Sequence, residues 1–389
     1  MGINNLHKLL RNKCPQIYEE VHLSKYAFKK IAIDISLYLF KYKTIFGDKW
    51  LSAFINLVSC MRRNNIHCVF IYDSGAPPEK GAEQAERRET REKLRQKVLE
   101  IEEALLDYKE NGNLSQTIID FNKKLSKRRG DTNMKKLLRR DIKEDEIKDS
   151  DVAEMDEELI KIKNQVISIS STDFDLTKIL FDIINVPYFQ APLEAETMCA
   201  DICIRKQVDA VISEDTDVLA YGAPIFLTKL NTHNDTCTEI KYNDILEQLE
   251  ISSPQFLDLC IMCGCDYNKN IFRIGPEKAY KLLKEHGNID DLHNKGVLKD
   301  ISVLKHNRSR ELFRNYQKSN VSIPYCGQPD FKKLQEFVFK HNISINLSSF
   351  HKACSPAVLV FTEEDQDQDE IKEEIQDGLE IIEDEEIEY

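Results

Sequence analysis

Three short β-branched runs constrain this chain more than any other feature, because each leads straight into acidic residues. They are residues 30–34 (KIAID), 68–73 (CVFIYD) and 208–213 (VDAVIS), ending at Asp34, at Asp73 and just before Asp215 and Asp217. Helical periodicity flanks them, as in 50–63 ahead of the second run and 194–206 ahead of the third. Apolar strands alternating with amphipathic helices predict an α/β fold, a mostly parallel central sheet with helices on both faces. In such open sheets ligands bind beyond the carboxyl ends of the strands. Three strands therefore deliver carboxylates to one edge of one sheet.

Three more acids join the set as candidates: Glu194, Glu196 and Asp266. Any one of these residues alone reads more readily as a solvated acid that keeps the surface soluble, but seven at strand ends and helix starts do not. Seven converging carboxylates repel one another unless a counter-charge holds them. Two divalent ions resolve the conflict, and an all-oxygen donor set suits Mg²⁺, with Mn²⁺ as a substitute. A pair of such ions fits hydrolysis of a phosphodiester. Asp215 and Asp217 at i, i+2 would face the same way if the strand stays extended. Glu194 and Glu196 would diverge on a regular helix. The Ala191-Pro192 pair before them places them in a helix's opening turn, where the dipole favours anions.

The rest of the chain supplies context. Residues 80–111 carry no Pro and no Gly after Gly81, predicting a helix about 40 Å long that stops at Asn111-Gly112-Asn113, with a second helix starting near Ser115. A basic stretch (123–140) is followed by an acidic one (141–158), either a solvated face or a mobile insertion between two halves of a catalytic body. Residues 253–291 read as helix, tight hairpin, helix. The Ile274-Gly275-Pro276 turn could offer backbone N–H groups to a phosphate, or be an ordinary helical hairpin. The formal charge of −13 resides in the last 27 residues, whose local charge of −14 leaves the preceding body near +1, so overall acidity does not argue against DNA. That tail is expected to be disordered, as a solubility element or an intramolecular phosphate mimic. The 11 cysteines are scattered through apolar runs, as reduced intracellular thiols would be. Cys260, Cys263 and Cys265 lack a partner cluster to complete a zinc site. No apolar run reaches the length of a membrane span.

The segments MGINNLHKLL, IAIDISLYLF, FIYDSGAPPEK, APLEAETMCA, VDAVISEDTDVLAYGAP and CGCDYNKNIFRIGPEKA stand in the order found in flap endonucleases, and the chain resembles that family of XPG-type 5′ nucleases from residue 1 to about 350. The resemblance implies a two-metal, Mg²⁺-dependent 5′ nuclease with flap endonuclease and 5′–3′ exonuclease activity in DNA replication, repair or recombination. It implies a body over 1–350, made of an N-terminal nuclease region (1–79), a helical arch (80–165), an internal nuclease region (166–250), a helix–two-turn–helix (251–291) and a C-terminal helical region (292–350), with an acidic tail (351–389). By motif, Asp34, Asp73, Glu194, Glu196, Asp215, Asp217 and Asp266 match the metal-binding acids. Lys80 and Arg87 match the basic pair at the foot of the arch that offsets charge on the scissile phosphate. Phe40 falls where the family stacks an aromatic on an unpaired base, or else is a core aromatic. In the hairpin, Arg273, Gly275 and Lys278 are expected at the duplex, and main-chain oxygens of Asn270, Ile271 and Ile274 at a potassium ion.

The sequence departs from the family at Arg273, where a Gly is usual; a position needing φ > 0 would strain Arg. Gln376 and Leu379 fit a sliding-clamp peptide, but Ile382 and Glu383 occupy its aromatic positions, so clamp binding is not expected. The expected state is a monomer acting on nicked, gapped or flapped DNA inside the cell, in a nucleus or, for a virus, a viral factory. Two other readings stay open: a 5′→3′ exonuclease on RNA or gapped duplex, and a DNA-binding protein that has lost its chemistry. The presence of all seven acids and both basic residues argues against the last.

Overall fold

A computed structural model describes residues 2–128, 147 and 149–355; the acidic tail and the clamp-like residues lie outside the described residues, as does most of the basic stretch. Seven strands form one sheet in the order β1-β7-β6-β5-β2-β3-β4. They are β1 (Glu19–His22), β2 (Lys30–Asp34), β3 (His67–Tyr72), β4 (Tyr188–Gln190), β5 (Ala210–Ile212), β6 (Ile225–Asn231) and β7 (Thr236–Lys241). Pairings β4/β3, β3/β2, β2/β5 and β5/β6 are parallel, whereas β7 pairs antiparallel with β6 and β1. The expected mostly parallel α/β sheet is therefore present, with an antiparallel edge.

Strand alternation divides two cores. Ala32, Val69, Ile71 and Val211 point into one, with residues of α1 (Leu6–Lys13) and of the helices at 195–204 and 253–263. Ile31, Ile33, Phe70, Tyr72 and Ile212 point into the other, under α2 (Ile35–Phe46) and α3 (Trp50–Arg63). There Phe70 stacks on Phe181 with ring centroids 4.2 Å apart, and Phe54 meets both rings edge-on. Such burial on both faces is why these strands carry continuous apolar runs.

The sequence of β2, β3 and β5 makes the active edge. The chain winds from β2 to β3 and β4 on one side, then returns to place β5 on the other side of β2, so the strand order reverses there. This is the switch point at which doubly wound sheets open a crevice. Asp34 ends β2, Asp73 follows β3, and Asp215 lies three residues beyond β5.

Between β3 and β4 lie α4 (Gly81–Asn111), α5 (Gln116–Arg128), α6 (Asp149–Gln165) and α7 (Ser171–Ile183). Helix α4 spans 31 residues, about 46 Å at the usual rise, and Gly112 caps it in the left-handed region (φ 73°). Val98, Ile101 and Leu105 of α4 pack with Ile118, Phe121 and Leu125 of α5 and Met155, Leu159 and Ile162 of α6 in a third, separate cluster. Helix α6 lies partly in the acidic stretch read from sequence as a charge run. After β4 come α8 (Ala195–Ile204), the short α9 (Asp217–Ala220), α10 (Tyr242–Leu249), α11 (Ser253–Cys263) and α12 (Pro276–His286), followed by smaller helices through Ala353. All 11 cysteines are buried and free, and Cys260 and Cys263 lie inside α11 as a buried helix requires. Among the described residues, no helix is long and apolar enough to cross a membrane.

Candidate active site

Each acid is placed by a local structural reason. Asp34 is the N-cap of α2, its Oδ1 accepting from the N–H groups of Ser36 (2.9 Å) and Leu37 (3.4 Å), as a short acid at a helix start should. Asp73, at the rim, accepts from the Ala195 N–H at 2.7 Å and from the Ser36 hydroxyl, which ties β3 to the starts of α2 and α8. Glu194 is the N-cap of α8 and Glu196 lies in its first turn, both buried, as the Ala191-Pro192 signal indicated. Asp266 follows α11 and reaches Lys80 and Arg87.

The pair Asp215 and Asp217 departs from the extended geometry. Strand β5 stops at Ile212, the chain turns, and Asp217 is the first residue of α9. Instead of facing the same way off a strand, the two are locked in a turn in which the Asp217 N–H donates to Asp215 Oδ1 at 2.9 Å. Short pairing with β6, limited to Val211 and Ile212, ends the strand early.

Several of these acids feel one another's charge. Burial raises the pKa of Asp34, with further increments from Asp73, Glu196 and Asp215. Burial and Glu196 raise Asp73, and burial and Glu196 push Asp215 up to about 6. Burial and Glu196 push Glu194 to about 7, against the lowering effect of Lys80. Asp217, fully buried, is held well above the carboxylate range by burial, then by Asp215 and Asp266. Both its oxygens are buried without a hydrogen-bond donor among the described residues. A buried carboxylate with neither lone-pair edge satisfied calls for a cation. The donor set is entirely carboxylate oxygen, which suits a hard divalent ion. Among the described residues no three His, Cys, Asp or Glu side chains close on one point as a tight cage; part of the set is instead drawn onto Lys80.

Lys80, 5 % exposed, precedes the first residue of α4. Its Nζ lies 2.5 Å from Glu194 Oε1, 2.9 Å from Glu196 Oε1 and 3.3 Å from Asp266 Oδ2. Burial lowers the Lys80 pKa, but Glu196 and Glu194 outweigh it and drive it upward, so the ammonium stays charged. Tyr267 donates to Glu194 Oε2 at 3.1 Å and shares a 2.7 Å hydrogen bond with Tyr221. Arg87, one helical stretch further along α4, bonds both oxygens of Asp266 at 3.3 and 3.4 Å and pairs with Glu83.

The remaining expected residues sit further out. Phe40 is absent from both cores; its ring is half-buried on α2 beneath the Arg91 guanidinium of α4, 5.9 Å from the ring centroid. Arg273, Gly275 and Lys278 are exposed around the turn into α12, whose N-cap Gly275 leaves the helix N-terminus without a side-chain cap. Arg273 does adopt φ 62°, the left-handed region in which Gly is usual. The carbonyls of Ile271 and Ile274, two of the three expected at a potassium ion, accept from the Asn270 amide at 3.3 and 3.0 Å.

Two residues emerge only from the structure. Phe272, at the hairpin tip, is 82 % exposed with the Arg273 guanidinium 5.1 Å over its ring; nothing in the sequence distinguishes its ring from a packed one. Gly2 (φ 78°) lies against the acids, and an added Cβ would stand 2.1 Å from Asp215 Oδ1 and 2.7 Å from the Asp217 N–H. Gly2→Ala is therefore expected to displace the Asp215–Asp217 turn. Cleavage should fall at least about ten-fold while the melting temperature changes little, since strain of this kind is local; unchanged cleavage would show that the turn accommodates the methyl group.

Known proteins resemble this chain over most of its length. Residues 1–94 match the XPG N-terminal domain and residues 185–266 the XPG I-region. The chain is 32 % identical over 387 residues to a probable RAD2-like endonuclease of Invertebrate iridescent virus 6, covering 89 % of this chain and 90 % of that protein. It is 28 % identical to flap endonuclease 1 of Ostreococcus lucimarinus, covering 81 % and 74 % of the two chains. Among solved structures, the catalytic core of Rad2 in complex with DNA substrate shares the fold with a TM-score of 0.60 at 15 % identity, covering 90 % of this chain and 98 % of that one. Flap endonuclease-1 from Methanococcus jannaschii does so with a TM-score of 0.54 at 20 % identity, covering 87 % and 95 %.

Sheet, acid edge and matched regions thus define a nuclease of the 5′ nuclease fold. The chain belongs to the RAD2-like, XPG-type flap endonuclease family of metal-dependent nucleases.

Proposed function

We propose that the chain is a Mg²⁺-dependent, structure-specific 5′ nuclease that hydrolyses a phosphodiester near the junction of 5′-flapped DNA. The observation that carries this reading is Asp217: a fully buried carboxylate with no donor among the described residues, grouped with six other acids at the sheet's switch point. Asp34, Asp73, Glu194, Glu196, Asp215, Asp217 and Asp266 would hold two divalent ions, directly or through water. When bound, such ions supply the charge that makes a water nucleophilic and neutralises the reacting phosphate.

The chain's own residues do the rest. Lys80 and Arg87 lie at the acids' rim, where a phosphate entering the site would meet them, and they offset charge developing on its oxygens. Phe40 offers a ring face to a base near the cut, with Arg91 above it. Helices α4, α5 and α6 form the arch over the unpaired 5′ end. The turn into α12 presents its free backbone N–H groups, with Arg273 and Lys278, to a phosphate of the duplex. Threading an end and gripping a duplex are separate tasks, and their coexistence in one chain favours a branched substrate over a plain strand. The names of the relatives point the same way. We place the work in DNA replication, repair or recombination.

Cleavage of 5′-labelled flap, gapped duplex and single-stranded RNA, each with and without Mg²⁺, tests this. The expected result is Mg²⁺-dependent release of the flap near its junction, with slower 5′–3′ trimming of gapped duplex. Preferential degradation of RNA would favour the exonuclease reading, and binding without cleavage would reject the enzyme. Affinity for the flap should also fall steeply with salt, roughly 10³-fold or more between 50 and 200 mM if six or more phosphates are contacted.

A further inference from the structure

We propose that Lys80 and Arg87 act as internal counter-ions that fasten the foot of α4 onto the acids in the ion-free protein, and that divalent-ion loading displaces them and releases that foot. The inference rests on the reading of these acids as metal ligands and adds a coupling between ion loading and the arch.

The contacts themselves motivate it. Lys80 Nζ forms ion pairs with Glu194, Glu196 and Asp266, carboxylates from two separate segments, and Arg87 adds a second cation on Asp266. These are the lone pairs a hard cation would take, and an ammonium and a divalent ion cannot share them at contact distance without strong mutual repulsion. By contrast, Asp34 and Asp73 are held by backbone N–H groups and a serine hydroxyl, donors that remain compatible with a nearby metal. The set is thus divided: Asp34 and Asp73 are pre-oriented by the body, and Glu194, Glu196 and Asp266 are occupied by the arch.

The consequence for α4 follows from where its buried side chains lie. Its first buried residue is Val98, so residues 81–97 carry no fully buried side chain. That stretch is joined to the body through polar contacts, namely Arg87 with Asp266, Lys269 with Glu86 and Arg91 over Phe40, while Lys80 anchors its first turn and Arg308 holds Glu79 just before it. Exposed pairs of this kind contribute little. The buried Lys80 cluster is the strong tether, and it is the one that ions compete for. Once displaced, Lys80 and Arg87 are free to meet an incoming phosphate, so the same two cations serve the empty site and the loaded one in turn.

Two measurements on the full chain without DNA test the coupling. Hydrogen exchange of residues 81–92 should accelerate several-fold on adding Mn²⁺, while strands β2 and β5 stay protected. Exchange in 81–92 that is unchanged or slowed while Mn²⁺ binds overturns the inference and leaves the two-ion reading intact. This arm needs no variant, so it holds even if a substitution at Lys80 impairs folding. Second, Mn²⁺ affinity measured by electron paramagnetic resonance should be roughly ten-fold tighter in Lys80→Met than in the natural chain. Equal or weaker binding rejects displacement, and failure of the natural chain to bind Mn²⁺ at all rejects both this inference and the two-ion reading.

Discussion

Asp217→Asn should abolish cleavage while leaving flap binding nearly unchanged and making the ion-free protein more stable. Asp217 is fully buried, and neither of its oxygens meets a donor among the described residues. Replacing it by the isosteric amide removes a buried ionisable group without opening a cavity. Relief of that desolvation is expected to contribute about 1–3 kcal/mol of stability. Activity should fall at least about 10²-fold, because the residue would ligate an ion and not touch the groove. The same physics sets a pH dependence. Glu194 and Asp215 are raised to about 7 and about 6, and Asp217 is raised as well, with burial the largest cause in each. A carboxyl whose folded pKa exceeds its unfolded value near 4 binds more protons in the native state, so stability falls as pH rises between the two values. Thermal melts of the ion-free protein should therefore show a melting temperature declining from about pH 4.5 to pH 7, restored by Mg²⁺ and flattened in Asp217→Asn. A melting temperature that rises over that interval without added ions would mean the acids are compensated by something else and are not waiting for metal.

How far this site was readable without coordinates depends on the range of the interactions involved. Asp34 and Asp73 were legible because strand composition and a terminal acid are local facts, and a parallel sheet puts the carboxyl ends of its strands on one edge. The opening-turn placement of Glu194 and Glu196 followed from a proline two and four residues upstream of them. Asp215 and Asp217 were legible as site residues but not in geometry: β-branched composition through Ser213 promised more strand than the two-residue pairing with β6 sustains. Helix α6 was obscured for a different reason. Val152, Met155, Leu159 and Ile162 have helical spacing, but the acidic residues between them dominate the composition, and only packing against α4 and α5 turns that thin apolar stripe into a core. Long-range contacts left no local trace at all. Nothing in the order of residues brings Lys80 onto Glu194, or Gly2 against Asp215. Arg273 is the reverse case, since the conflict between its side chain and a left-handed position was visible in advance, and the backbone adopts that conformation despite it.

The two arch cations should separate catalysis from stability when they are removed one at a time. Lys80→Ala and Arg87→Ala are each expected to slow single-turnover flap cleavage about 10²–10³-fold, the range for losing one preorganised donor to a charged transition state. Their effects on folding should differ, because their surroundings do. Lys80 is buried, and its loss leaves Glu194 and Glu196 as buried carboxylates facing one another without a counter-charge, a defect of about 3–5 kcal/mol. Arg87 has a side chain 47 % exposed and pairs with Asp266 and Glu83 at the surface, where removing one partner costs little. Lys80→Ala should therefore melt earlier than the natural chain and recover part of the loss on adding Mn²⁺, which supplies the missing positive charge to the same oxygens. Arg87→Ala should melt almost normally in either condition while being nearly as slow. If Arg87→Ala cleaved at the natural rate, its position beside Asp266 would be structural and the phosphate would be met by Lys80 alone. If Lys80→Ala were as stable as the natural chain without ions, the carboxylates around it would have to relax apart once released, and the cluster would owe its closeness to the lysine.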